Sequence, residues 1–249
     1  MTTINDAERD LVEGDARVDY APTVDGVELT DLPENLAAQG KIHDVPILLG
    51  SNRDEGTLFS QAPHDLNATG FIPYLDAKFG ASITAAVSPV YPVSDYPSPW
   101  WAETHIIGDG LLSCPARRSA RWIQNAPNRK NPVFLYFFTH ELELISIFSP
   151  DKGCCHASEL VFVFNFDVAL WGSGEKALSD QFVRYWTRFA MTGNPNGGSD
   201  PNWPAYDEAQ DVLMVLDVGS GLGPQANVKK TQCDVWDKTF VPPELVFGH

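Results

Sequence analysis

Two short stretches carry side chains able to do acid–base chemistry, Asp54-Glu55-Gly56 and His156-Ala157-Ser158-Glu159. A carboxylate set against one ring nitrogen of a histidine fixes its tautomer and stabilises the imidazolium that forms when the other nitrogen takes a proton. Asp54 and Glu55 are chemically equal to that task. Each stretch also has a plainer reading. The acids suit a solvated turn, His156 is one of six histidines, and Glu159 could simply start the next element. Cys154, Cys155, His156 and Glu159 are all metal-ligand types, yet adjacent cysteines fit the usual ligand spacings poorly. Neither a metal nor a cofactor is read from the chain.

The stretches gain meaning from the elements that must carry them. An apolar run over 45–50 reads as a short buried strand, and it passes into the polar loop 51–57 that holds the acids. Residues 132–138 read as a second buried strand, with the histidine on a loop beyond it. Asp31 as a cap and Pro33 in the first turn start an early helix that Gly40 ends. Prolines make 61–104 loop-rich, with short helices over 72–79 and 81–88. The pair Trp100-Trp101 there reads better as packing under a long loop than as the lining of a substrate approach. Pro115 opens a helix over 116–123. A helix over 176–191 puts Phe182, Val183, Trp186 and Phe189 on its apolar face, and Gly193-Asn194-Pro195 stops it. Residues 211–217 read as a strand and 231–240 as a last helix. Alternation of strand and helix marks an α/β sheet domain, and with no repeat and no linker residues 1–249 read as one domain.

The net charge of −16 argues against a nucleic-acid backbone as partner. Hydrophobic residues make up 43% of the chain, enough for a globular core, while no apolar run approaches the length of a membrane span. Residues 1–22 are acidic and weakly patterned, closer to the tail of something than to the start of a domain. The first residues lack the basic start and apolar core of a secretion leader. The sequon Asn67-Ala68-Thr69, a candidate glycosylation site, and an even count of four cysteines point instead towards the secretory route. From this conflict comes the expectation that Met1 is not the natural start.

An acid loop after one strand and a histidine loop after a later one follow the order Ser…Asp/Glu…His of one class of hydrolase. That chemistry also needs a serine on a tight Gly-x-Ser-x-Gly turn and an oxyanion hole of backbone N–H groups. Neither Gly-x-Ser-x-Gly nor Gly-Gly-Gly occurs in the sequence; Ser173 and Ser220 sit between glycines but lack one two positions before.

Further landmarks run along the chain. They are Val24-Asp25-Gly26 with Leu32-Pro33, the Asp54-Glu55-Gly56 turn within 50–59, Gly108-Asp109 with Cys114-Pro115, and Tyr136-Phe137-Phe138. Then come His156-Ala157-Ser158-Glu159-Leu160 with Phe162 and Phe164, Tyr185-Trp186-Thr187-Arg188-Phe189-Ala190 with Thr192-Gly193-Asn194-Pro195-Asn196, Trp203-Pro204-Ala205-Tyr206, and Cys233 with Trp236. In this order and with these gaps, from about residue 20 to residue 240, the chain resembles the C-terminal half of type-B carboxylesterases, the cholinesterase-like branch of the α/β-hydrolase fold.

That resemblance implies the C-terminal portion of an α/β-hydrolase fold, a partial, mostly parallel sheet with flanking helices. It implies Glu55 as triad acid, His156 as general base, Glu159 as a buried carboxylate near the histidine, and a cystine between Cys114 and Cys233. Cys154 and Cys155 stay open between a strained vicinal bridge, pairing with a segment outside the chain, and free thiols. The oxyanion turn and the serine would lie in an N-terminal half absent from these residues and required for the catalytic site. The expectation is thus the C-terminal part of a serine carboxylesterase for small-molecule esters, secreted by family resemblance and inactive by itself. The competing expectation is a cholinesterase-like adhesion or binding module that has lost the serine. Retention of both Glu55 and His156 favours the enzyme.

Overall fold

A computed structural model describes residues 24–239. The reading of residues 1–22 as a tail, and the Phe240 end of the last helix, lie outside the described residues. Four strands form one sheet in the order β1 (Ile47–Asn52), β2 (Val133–Phe138), β3 (Val212–Leu216), β4 (Gly223–Ala226). β1, β2 and β3 pair in parallel, with Asn52 opposite Phe138 and Phe138 opposite Leu216; β4 folds back antiparallel on β3. The expected partial, mostly parallel sheet is therefore present. β1 starts two residues later than its apolar run, because Pro46 has no N–H to give the ladder, and Ile47 makes the first bond, to Pro132 O at 3.1 Å. It also runs two residues further, since the Arg53 N–H still reaches Phe138 O at 2.8 Å. β4 left no apolar alternation to read; as an outer strand it tolerates Pro224.

Both faces of the sheet are covered, which is why β2 reads as an unbroken apolar run. Its side chains alternate with a period of two. Val133, Leu135 and Phe137 pack with Leu213, Val215 and Ala120, the last from the helix Cys114–Gln124. Phe134 and Phe138 pack on the other face with Met214, Leu216 and, from the helix Glu175–Thr192, Leu178, Phe182 and Tyr185.

Among the described residues the helices are α1 (Pro33–Ala38), α2 (Ala68–Phe79), α3 (Ala81–Val87), α4 (Pro99–Gly108), α5 (Cys114–Gln124), α6 (Glu143–Phe148), α7 (Leu160–Val163), α8 (Glu175–Thr192) and α9 (Lys230–Trp236). On α8 the buried stripe is Leu178, Phe182 and Tyr185, with Trp186 and Phe189 at its margin; Val183 lies outside this cluster, so the apolar face is turned from the expected one. Gly193 closes the helix in the left-handed conformation at φ +75°, its N–H on Phe189 O at 2.7 Å. Asp31 does not accept from the second or third N–H of α1 as a cap would; it takes the Leu32 N–H and the side-chain amides of Asn35 and Gln39.

A third cluster gathers α2, α3, α4 and α9 around Phe71, Leu75, Phe79, Ile106 and Ile107, and includes the Cys114–Cys233 disulfide. This bond joins residues 119 apart in sequence, tying α9 to the start of α5. In the chain-entropy account a loop of that length stabilises by roughly 4–5 kcal/mol. Trp100 is buried and stacks on His64 at 4.3 Å, packing under the 61–67 loop.

His140 sits where β2, β3 and α8 meet. Its Nδ1 lies 3.2 Å from Asp217 Oδ1 and its Nε2 3.0 Å from Glu175 Oε1. Burial opposes the imidazolium, but the hydrogen bonds to Asp217 and Glu175 outweigh it and hold His140 above its ordinary 6.5. Burial also opposes both carboxylates. Glu175 is nonetheless held low by the Glu143 and Gly172 N–H groups and by His140, and Asp217 by His140, Thr139 and the Val218 N–H. A raised histidine stabilises fully below 6.5 and loses this as pH rises through its folded value. The lowered acids contribute above their ordinary 4.5 and 3.8 and lose this as pH falls through their folded values. The contribution of the trio therefore peaks between pH 4.5 and 6.5. Thermal unfolding followed against pH is expected to show His140→Gln losing most stability in that window and progressively less above it.

Candidate active site

The structure separates the two acids that side-chain chemistry alone leaves equal, and it is Glu55, the one the resemblance implies, that faces the histidine. β1 ends at Asn52, and after two residues a tight 3₁₀ turn, Glu55–Leu58, begins. Asp54 faces Arg53, whose Nε and Nη2 donate to its Oδ2 at 3.0 and 2.8 Å, and it also accepts the Cys154 N–H at 2.8 Å. Glu55 faces the histidine. Its Oε2 lies 2.6 Å from His156 Nδ1, and its Oε1 accepts the Asn52 N–H at 2.7 Å. Glu55 is 4% exposed. Burial pushes its carboxyl above the ordinary carboxylate value, partly offset by the Asn52 N–H and His156, while the charge of Glu159 pushes the same way as burial.

The histidine loop is laced to the acid loop. Asp54 N–H donates to Cys154 O at 3.0 Å and Thr57 Oγ1 to Lys152 O at 2.9 Å, while Cys154 Sγ donates to Phe138 O at 3.2 Å. In this structure Cys154 and Cys155 are buried and unbridged, and burial pushes both thiols up, disfavouring thiolate. Ala157, directly after the histidine, adopts φ +66°, a conformation costing a non-glycine residue about 1 kcal/mol. This sharp turn lets the Ser158 N–H and Oγ bond back to Cys155 O at 3.1 and 2.8 Å.

The His156 ring packs against Phe59, centroids 5.2 Å apart, and its side chain stays 44% exposed. With Nδ1 donating to a carboxylate, Nε2 holds the free lone pair, and among the described residues no hydrogen bond reaches it. The arrangement can accept a proton from an acidic O–H brought to Nε2 and hold the resulting imidazolium against Glu55. Glu159, the expected carboxylate near the histidine, lies close enough to Glu55 for its charge to act on that carboxyl. It is half-buried, and its Oε2 accepts from Asn52 Nδ2 at 2.5 Å. Asn52 and Phe59 were not legible as site residues, because only the strand register and the turn after it bring them to the histidine. Among the described residues no cluster of His, Cys, Asp or Glu is placed to hold a metal ion, and no helix is long and apolar enough to cross a membrane. Asn67 lies away from this site, exposed at the start of α2, where its Oδ1 accepts the Gly70 N–H at 3.0 Å.

Gly56 shows how tightly the acid turn is seated. A Cβ there would stand 1.8 Å from Thr104 O and 2.8 Å from Gly108 N, both backbone atoms of α4. Gly56→Ala is therefore expected to cost at least about 1–3 kcal/mol and to loosen the Glu55–His156 pair. Denaturant unfolding, together with faster hydrogen exchange at residues 54–58, would show it.

A sequence model of the carboxylesterase family matches residues 1–236. An acetylcholinesterase of Leptinotarsa decemlineata is 29% identical over 248 residues, covering 89% of this chain and 37% of its own length. Carboxylesterase 1E of Mus musculus is 26% identical over 261 residues, covering 96% and 45%. The solved structure of a PNB esterase, an α/β-hydrolase, superposes with a TM-score of 0.68 at 25% identity, over 94% of this chain and 47% of that one. The chain spans less than half the length of each of these relatives. With the match covering nearly all of the sequence and the sheet agreeing with an α/β-hydrolase, the chain belongs to the carboxylesterase family.

Proposed function

We propose that this chain supplies the acid, Glu55, and the general base, His156, of a Ser-Glu-His triad that hydrolyses small-molecule carboxylic esters. The serine and the oxyanion N–H groups come from a further segment, and residues 1–249 form one partial domain completed by it. The observation that carries this reading is the 2.6 Å hydrogen bond between His156 Nδ1 and the buried Glu55. In the reaction, His156 Nε2 takes the serine proton as the serine oxygen attacks the ester carbonyl carbon. It then returns that proton to the departing alcohol, and a water activated in the same way releases the acid. Glu55 stabilises the imidazolium at each stage. This chemistry calls for no cofactor.

The surface beside the base supports the need for a further body of protein. Phe148, Phe164, Phe166, Val168 and Trp171 are all exposed on the segments flanking the histidine loop, with the Phe148 and Trp171 rings in contact at 6.2 Å, and exposed apolar surface of this kind marks a site of protein contact. The disulfide and the exposed sequon at Asn67 support passage through the secretory route.

The chain alone is expected to hydrolyse p-nitrophenyl acetate no faster than background. Joined to the N-terminal portion of a family esterase that carries the serine, it should hydrolyse the ester, with His156→Ala lowering kcat at least about 10³-fold and Glu55→Gln by about 10³–10⁴-fold. A joined enzyme indifferent to both changes would sink the assignment. If the coding sequence upstream carries a substituted serine, the binding-module reading takes its place. Asn67 is proposed as a glycan acceptor, since its capping oxygen is kept on glycosylation and its Nδ2 is the atom modified. Expressed behind a secretion leader in a eukaryotic host, the chain should lose mass on peptide N-glycosidase treatment, and Thr69→Ala should abolish that shift.

A further inference from the structure

Three acids crowd the histidine end of the sheet, Asp54, Glu55 and Glu159, yet only Glu55 meets the imidazole. Asp54 is committed to Arg53 and to the Cys154 N–H. What sorts the other two is Asn52. Its backbone N–H holds Glu55 Oε1 at 2.7 Å. Its side-chain Nδ2 uses both hydrogens, one on Cys155 O at 2.8 Å and one on Glu159 Oε2 at 2.5 Å. One residue therefore holds the acid, the carbonyl immediately before the base, and the second carboxylate, whose charge acts on Glu55.

The rest of the amide makes a packing role a poor account of this residue. Asn52 is 1% exposed, and its Oδ1 is buried with no hydrogen-bond partner among the described residues. A buried acceptor left unpaired costs its full desolvation, a cost an apolar side chain of the same size would not carry at that atom. Turning the amide over gives no relief, because its oxygen would then face a carbonyl and a carboxylate. The two donors are what the position uses.

We propose that Asn52 is a positioning residue for the acid–base pair: by engaging Glu159 and the Cys155 carbonyl it keeps His156 facing Glu55 alone. The inference rests on the reading of Glu55 and His156 as a working pair. Without the amide, the charge of Glu159 is unpartnered beside Glu55, and the loop carrying His156 loses its link to β1.

Hydrogen-exchange NMR of the 249-residue chain tests this through the His156 Nδ1 proton, a readout that general packing does not move. Asn52→Leu is expected to speed its exchange at least about tenfold while leaving the β2 amides protected and the Cys114–Cys233 bond intact. Glu55→Gln should speed it as well. If Glu55→Gln acts and Asn52→Leu does not, the pair stands and the positioning role of Asn52 is overturned. If neither acts, the pair itself fails and this inference with it. Should Asn52→Leu not fold, the unaltered chain decides: both Asn52 Nδ2 protons must exchange slowly, and fast exchange of either overturns the proposal.

Discussion

The reciprocal clamp between residues 54 and 154 is the constraint on which the site depends. Asp54 N–H meets Cys154 O, and Cys154 N–H meets the Asp54 carboxylate, so two loops about a hundred residues apart behave as one piece. The clamp is possible only because β1 and β2 pair in a register that sets Asn52 opposite Phe138. Slip that register by one residue and each side chain of β1 would change faces. The acid turn would then no longer meet the histidine.

Around this clamp the chain spends buried polar groups in pairs. Arg117 makes a two-point bond with Asp211 across α5 and the start of β3, and Tyr206 donates to the same carboxylate. His140 bridges Asp217 and Glu175 at the other end of the sheet. Such pairs are weak evidence for net stability, because desolvation offsets much of their attraction. Their value is in alignment, since each joins elements distant in sequence and is costly to break one partner at a time. The disulfide does the same for α9.

Much of the architecture was legible because it follows from local chemistry. β2 is an apolar run without interruption, α8 stops at Gly193, and α5 opens with a proline in its first turn. What escaped had no local signature. β4, Gly-Pro-Gln-Ala, is a strand only because β3 offers it an edge. The short helix α7 grows from an apolar run whose β-branched and aromatic content suits a strand equally well, and the turn at Ala157 decides between them.

The sequence by itself determined that an acid turn and a histidine loop follow successive buried strands, that the nucleophile's turn is absent from these residues, and that the landmarks are those of a carboxylesterase. Side-chain chemistry alone left Asp54 and Glu55 interchangeable, with only the family resemblance pointing to Glu55, and it left Cys154 and Cys155 undecided and Asn52 unnoticed. The tertiary structure supplies the physical reason for Glu55, because hydrogen bonds act over about 3 Å, and the Cys154 N–H that engages Asp54 and the His156 ring that engages Glu55 both come from a loop about a hundred residues on.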